Sequence, residues 1–575
     1  MCGIWALINR FHITTLPPLS KLDQYVCKII GRGPEGMRIK QYDDGVSCAL
    51  GFTRLAINGL TDAGMQPFEY TAPDGSKYAW ICNGEIYNWK TLAADYNLTD
   101  TLTSGSDCEI IGPLYHILKD DPVAFARAFD GVFAIVLVDF AAESTIVLRD
   151  PYGVRPLFYG VHNEYTVYAS EMKSIYGLVD TSLASQLANV QSFKPGHIQI
   201  TSPGEITYQK YHTVPYEKVA AFNNLEAAEM AIEKGLRLAV RKRLMTERPC
   251  AALLSGGVDS SLIAAIVADE LRVAGVERPL ETFSIGFEGS EDLRHARMVA
   301  EWISSKHHEI IMTADEFFAA IPEVVRAIES FDITTVRASV GNYLVSKAIR
   351  EQSDCKVVFN GDGSDEIFGS YLYFYKAPND HEFERETHRL LEEIHYFDVL
   401  RSDRSISSHG LEPRTPFLDK SFVATAMSLP TKWRRPGTRH AANLEPICEK
   451  WILRRAFMDS GLLPPEVLWR RKEAFSDGVS GPMKSWYEEI QERVEALVPD
   501  NWTSEACEKY NKPAKLQPHT AEAFYYRSLF ESFYGEQFSR QVIPHFWMPR
   551  WIEGATDPSA RKLAIYNTSE QKDVA

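Results

Sequence analysis

Hydrophobic patterning splits the chain into two halves. From the N-terminus to about residue 205, apolar runs of strand length recur between turn residues. They are Gly3–Leu7, Ser47–Leu55, Tyr78–Cys82, Gly131–Asp139, Thr145–Arg149, Leu157–Gly160 and Thr166–Ser170. Only Leu19–Ile30 and Cys108–Lys119 read as helices there. A turn-rich stretch from Phe193 to about Phe222 carries Pro195, Pro203, Gly204 and Pro215, and places a boundary. A helix is predicted from Asn224, with Ile232, Leu236, Ala239, Val240 and Leu244 on one face. Strands at Ala251–Leu254, Glu281–Ile285, His308–Met312 and Lys356–Asn360 then alternate with helices near Asp292–Ser304, Asp315–Ile328 and Ser339–Glu351. That alternation predicts a parallel sheet with helices on both faces. Beyond about Asp380 the pattern is mostly helical. The expectation is an α/β protein of two domains, 2–205 and 224–550, followed by a tail, 551–575.

One junction in the second half carries chemistry. The run Ala252-Leu253-Leu254 ends in Ser255-Gly256-Gly257-Val258-Asp259-Ser260-Ser261, and an apolar-periodic segment follows. This predicts strand, tight loop and helix N-terminus, with glycines, hydroxyls and the helix dipole all suited to an anion. The spacing is not that of a Walker loop, whose lysine is absent. Asp259 inside an anion cradle requires a cation between them, so Mg²⁺ is implied. An ordinary strand-to-helix turn is the plainer alternative. Against it, the strand ends at Ile285-Gly286-Phe287 and Gly361-Asp362-Gly363-Ser364-Asp365 should converge on the same edge of the sheet.

Composition narrows the function classes. The 575 residues carry 61 basic and 77 acidic side chains, a net charge of −16, which does not support sequence-blind nucleic-acid binding. No apolar run reaches membrane-spanning length and no signal-peptide pattern opens the chain. Nine cysteines without a C-x-x-C pair read as reduced thiols. These features predict a cytoplasmic protein that binds neither nucleic acid nor membrane.

The first residues, Met1-Cys2-Gly3-Ile4-Trp5, suggest a nucleophile at the terminus. Loss of Met1 would leave Cys2 with a thiol and an α-amine on one residue, the amine able to serve as the thiol's base. Polar clusters follow several strands: Arg54, Asn83-Gly84-Glu85 and Gly105-Ser106-Asp107. Taken singly, Asp107 is as well read as a helix cap as a ligand.

Together, Cys2, Asn83-Gly84-Glu85 and Gly105-Ser106-Asp107 resemble the glutaminase domain of class II glutamine amidotransferases, N-terminal-nucleophile hydrolases with an αββα sandwich. The resemblance implies that Cys2 attacks the glutamine amide and that Asn83 and Gly84 form the oxyanion hole. Arg54, Ile57, Glu85 and Asp107 would bind glutamine, Arg54 at its α-carboxylate and Asp107 at its α-ammonium. Where the family has His-Arg-Gly-Pro-Asp, this chain has Gly31-Arg32-Gly33-Pro34-Glu35, expected to weaken the support behind that pocket.

The Ser255 loop resembles the PP-motif of the ATP pyrophosphatases. Pro413-Arg414-Thr415-Pro416-Phe417-Leu418-Asp419 and Arg471-Lys472-Glu473-Ala474-Phe475-Ser476-Asp477 extend the likeness. With the first domain, the chain from Cys2 to about Arg561 resembles the glutamine-hydrolysing asparagine synthetases. The resemblance implies glutamine, aspartate and ATP as substrates, Mg²⁺ as cofactor and a homodimer. Leu254, Ser255, Gly256, Gly257, Asp259, Ser260, Ile285, Asn360, Gly361 and Asp365 would hold ATP, with Asp259 and Asp365 on the metal. Lys472 would neutralise phosphoryl charge, and Arg337, Asp398 and Arg401 would lie near aspartate or its adenylate. From spacing alone, Asp398 and Arg401 equally suit a surface i,i+3 ion pair. The family's catalytic glutamate is replaced by Asp362, shorter by one methylene or about 1.5 Å, which predicts a slower synthetase step. Two other readings of the architecture are amidation or cyclisation of a different carboxylate, as in β-lactam synthetase, and a weakened homologue that senses glutamine or nucleotide.

Overall fold

Strands whose two faces are both buried build the first half of the protein. The computed structural model describes residues 1–9, 16–162, 165–175, 190–214, 222, 224–438, 447–472, 478–480, 484–510 and 514–559. In the strand Gly3–Asn9, Ile4, Ala6 and Ile8 point to one side and Trp5 and Leu7 to the other, as a two-residue period requires. The first set meets Ala79, Ile81, Ala134 and Val136 of a second sheet, and the other set meets Leu22 and Val26 of the helix Leu19–Val26. On the far side, Tyr78, Trp80 and Cys82 pack on Ile111 and Leu114 of the helix Ile111–Leu118. Two six-stranded antiparallel sheets thus lie between helices, the αββα arrangement.

Strand Gly3–Asn9 is central in its sheet, paired with Val46–Arg54 on one side and Tyr165–Ala169 on the other. The terminus is therefore fixed by pairing on both sides. The edge strand Gly36–Asp44 escapes the hydrophobic pattern because its side chains are largely exposed. The hairpin His197–Ser202 and Glu205–Lys210 lies where turn residues predicted a connection, and it extends the second sheet.

The second half holds a five-stranded, wholly parallel sheet in the order Lys306–Ile311, Glu281–Gly286, Cys250–Leu253, Val357–Phe359, Glu412–Arg414. Chain order runs outward one way from Cys250–Leu253 and then reverses to Val357–Phe359. The crevice beyond the carboxyl ends of those two strands is where such sheets bind ligands. Two helix predictions needed revision. Pro322 starts a new helix, so Ala314–Ala319 and Ile321–Ile328 replace one long helix. The next helix begins earlier than expected, at Ile333, because the Asp332 carboxylate caps it by accepting from Thr335 N–H.

The halves are joined through a buried network. Arg32 donates to the Cys2 carbonyl (3.0 Å), Glu171 (2.9 Å), Asp403 (2.8 Å) and Ser407 (2.9 Å). Arg404 pairs with Glu329, whose carboxylate also accepts from Met172 and Lys173 N–H. Apolar contact is continuous across the join. Leu55, Ile57, Val132 and Val154 share one cluster with Ala252, Leu254 and Val399.

Candidate active site

Two groups of the predicted residues form separate centres, one in each half. At the first, Cys2 Sγ lies 3.4 Å from the Leu55 N–H and 3.5 Å from its carbonyl. With Met1 present, burial pushes the Cys2 thiol up to about 11 and the terminal amine down to about 6. Asn83 is fully buried, yet neither atom of its side-chain amide has a partner. A buried amide with no hydrogen-bond partner among the described residues is ready to donate to an oxyanion. Gly84 follows at φ +156°, and a Cβ there would lie 2.1 Å from the Val132 carbonyl.

The other predicted glutamine contacts surround this spot. Arg54 uses its guanidinium to hold the Gly59 (2.5 Å) and Thr61 (2.8 Å) carbonyls, shaping the 55–61 loop. Asp107 is buried and accepts from the Ile86 N–H at 2.6 Å, and burial pushes its carboxyl up to about 6. Glu85 accepts from Asn58 Nδ2 (2.7 Å) and lies 3.4 Å from Arg414 of the second half. Burial, with Asp107 beside it, raises Glu85 well above the ordinary range. Gly31, where the resemblance expects histidine, borders the join and not this pocket: a Cβ there would lie 3.1 Å from the Ser408 carbonyl.

The second centre is a cavity of about 230 Å³ at the crevice of the parallel sheet. Leu254, Ser255, Gly257, Asp259, Ser260, Ile285, Asn360, Gly361, Asp362, Asp365, Asp398, Arg401 and Lys472 all line it. Gly256 does not. Its φ of +73° turns the loop, and a Cβ there would lie 2.5 Å from that of His295. Ser255 and Ser260 hydroxyls stand 3.0 Å apart, and Ser364 Oγ donates to Asp259 at 2.8 Å.

Asp259 and Asp365 arrive from different strand ends and meet at one ammonium. Lys450, fully buried, contacts Asp259 and reaches Asp365 at 2.6 Å, while Lys472 holds the other Asp365 oxygen at 2.6 Å. Burial alone would raise Asp365, but the two lysine charges outweigh it and hold the carboxyl far below its usual range. Carboxylate oxygens from two loops suit a hard divalent cation beside phosphate oxygens, so the donor set fits Mg²⁺. Lys450 escaped the sequence reading because it is 191 residues from Asp259 and no local pattern marks it.

Asp362, Asp398, Arg401, Glu366 and Tyr371 line the same cavity as Asp259 and Asp365. Arg401 donates to Asp362 (3.0 Å) and Asp398 (2.8 Å). The Asp398–Arg401 pair thus belongs to the cavity and is not a surface ion pair. Tyr371 Oη lies 2.6 Å from both Glu366 and Asp398. One hydroxyl proton cannot serve both acids, so one of them carries a proton. Burial and the neighbouring Asp398 raise Glu366 well above its usual range, whereas Arg401 holds Asp398 below despite burial. Arg337 departs from expectation. Its guanidinium is buried between Glu522 (2.8 Å to Nε) and Asp557 (3.0 Å), away from the cavity, which its helix lines with Thr335, Ala338, Asn342 and Val345. Residues 473–477 of the Lys472 motif lie outside the described residues.

Residues 1–230 match the glutamine amidotransferase domain family, and 231–380 and 376–553 match the asparagine synthase family. The chain is 41% identical over 591 residues to the glutamine-hydrolysing asparagine synthetase of Gallus gallus, with 100% of each chain covered. It is also 41% identical over 589 residues to that of Homo sapiens, covering 99% of this chain and 100% of that one. The chain belongs to the asparagine synthetase family. Within the family pattern, Asn360 in place of serine donates to Ser402 Oγ at 2.6 Å, and Asp362 still reaches Arg401.

The two loop glycines should answer differently to substitution. Gly256→Ala is expected to destabilise the fold by more than about 1 kcal/mol, through φ and contact with His295. Gly257→Ala, at φ −76° with its nearest contact at 3.5 Å, should stay within about 0.5 kcal/mol. Denaturant unfolding of the two variants measures this, and equal losses would contradict the loop geometry.

Proposed function

We propose that the protein makes L-asparagine from L-aspartate, spending ATP to AMP and pyrophosphate and taking nitrogen from L-glutamine. Full-length family membership supports the reaction. The observations that support the residue assignments are the buried Asn83 amide, without a partner among the described residues, and the second centre where Asp259 and Asp365 converge on Lys450.

After removal of Met1, the Cys2 amine takes the thiol proton and the thiolate attacks the glutamine side-chain amide. Asn83 and the Gly84 N–H stabilise the oxyanion, Arg54 and Asp107 hold the α-carboxylate and α-ammonium, and ammonia leaves a thioester for hydrolysis. In the second centre the Ser255 loop receives the ATP phosphates. Asp259 and Asp365 would hold Mg²⁺, which would supply positive charge to screen the phosphates. Lys450 and Lys472 can turn from those carboxylates towards phosphate, so each cation keeps a partner throughout. The aspartate β-carboxylate attacks the α-phosphorus, giving β-aspartyl-AMP. Asp362, oriented by Arg401, takes a proton as ammonia attacks the acyl carbon.

Water would protonate ammonia at neutral pH, so the route between centres has to be dry. The apolar cluster shared by Leu55, Ile57, Val132 and Val154 with Ala252 and Leu254 supports such a route. A homodimer is the assembly that family membership suggests.

Cys2→Ala should abolish asparagine formation from glutamine and leave AMP release with aspartate and ammonia within about twofold of the parent. Loss of both activities would count against separate centres. Asp362→Glu restores the missing methylene and should raise the ammonia-dependent rate. An unchanged or lower rate would show that Asp362 already reaches its proton.

A further inference from the structure

The turn joining helix Leu225–Lys242 to strand Cys250–Leu253 leaves its own half and grips the 55–61 loop of the other. The Glu247 N–H donates to the Ile57 carbonyl at 3.0 Å, and Glu247 Oε1 accepts from the Gly59 N–H at 2.6 Å. Arg248 Nε donates to the Ala56 carbonyl at 2.9 Å. Its Nη2 pairs at 3.2 Å with Glu35, whose other oxygen accepts from the Ala56 N–H at 2.8 Å.

Gly59 is the hub of this grip. Its N–H goes to Glu247 and its carbonyl to Arg54 Nη2 at 2.5 Å. Its α-carbon is pressed on the segment leading into Asp107, where a Cβ would lie 2.6 Å from the Ser104 carbonyl and 2.7 Å from Ser106 N. At φ +59° the peptide has little freedom to compensate. Its position therefore sets both the Arg54 fork and the approach of Asp107.

We propose that Glu247, a residue of the synthetase half, is a positioning residue for glutamine: it completes the glutamine pocket from the other domain. The proposal rests on reading that pocket as the glutamine site. Releasing the Gly59 N–H lets the loop carry the Arg54 guanidinium away from the substrate carboxylate. Asn83 and Gly84, held in a paired strand, stay where they are, and Cys2 is anchored through its neighbour Gly3, which pairs with Thr53. Binding should therefore suffer more than chemistry. Glu247 is exposed, so its hydrogen bond is worth less than a buried charged one. The effect expected is moderate.

The test compares the full-length parent with Glu247→Ala and Glu247→Gln, measuring ammonia released from glutamine and, separately, AMP released with aspartate and ammonia. Glu247→Ala should raise KM for glutamine about fivefold, with glutaminase kcat and the ammonia-dependent rate within about twofold. Glu247→Gln, whose amide oxygen still accepts from Gly59, should recover most of the loss. An unchanged KM in Glu247→Ala overturns the proposal. So does a parallel fall of both activities, or a Glu247→Ala chain that does not fold, since either makes the contact a general support of the join. If the parent itself releases no ammonia from glutamine, the pocket reading fails first, which is a different result.

Discussion

The buried guanidinium of Arg32 is the constraint on which the two-centre arrangement depends. An isolated buried cation costs several kcal/mol, so it persists only where its partners are fixed. Here those partners are the Cys2 carbonyl, Glu171, and Asp403 and Ser407 of the helix Asp398–Ser407. The same helix carries Arg401, which holds Asp362 at the other centre. Six residues of helix separate Arg401 from Ser407, about 9 Å along its axis. One helix therefore connects the partners of Arg32, which holds the Cys2 carbonyl, to Arg401, which holds Asp362. A lysine could not replace Arg32, because only a planar fork meets these four acceptors in fixed directions.

Electrostatics divides labour between the centres in opposite ways. In the first half the Asn83 amide has no partner among the described residues, and burial raises the Asp107 and Glu85 carboxyls although each accepts a hydrogen bond. These are groups whose cost falls when a zwitterionic ligand arrives. Around Asp365 the protein over-satisfies charge, with two lysines on one carboxylate and a third bond from Ser370. Such a site is pre-neutralised and can exchange partners when polyanionic phosphate enters. The first centre is poised for binding by vacancy of partners, the second by exchange of them.

What the sequence made legible was local. Cys2 behind a buried strand, the Ser255 loop at a strand end and Asp362 to Asp365 at the next strand end all follow from short runs whose context is their own neighbours. Lys450 and Glu247 were not legible, because each acts on a residue more than 180 positions away and lies in a turn with no periodic signature. Arg337 sits on the helix that lines the cavity with Thr334, Thr335, Ala338, Asn342 and Val345, but Glu522 and Asp557, both far along the chain, draw its guanidinium away. The edge strand Gly36–Asp44 was hidden for the opposite reason: neither of its faces is buried, so its polar side chains leave no apolar run.

The central claim is that the two centres share one interior, and nitrogen labelling tests it most directly. With amide-¹⁵N glutamine, aspartate and ATP in the presence of excess unlabelled ammonium, asparagine should form with ¹⁵N enriched well above the ammonium pool. Asparagine labelled only to the extent of that pool would mean that ammonia leaves the protein between the centres, and the account would be wrong.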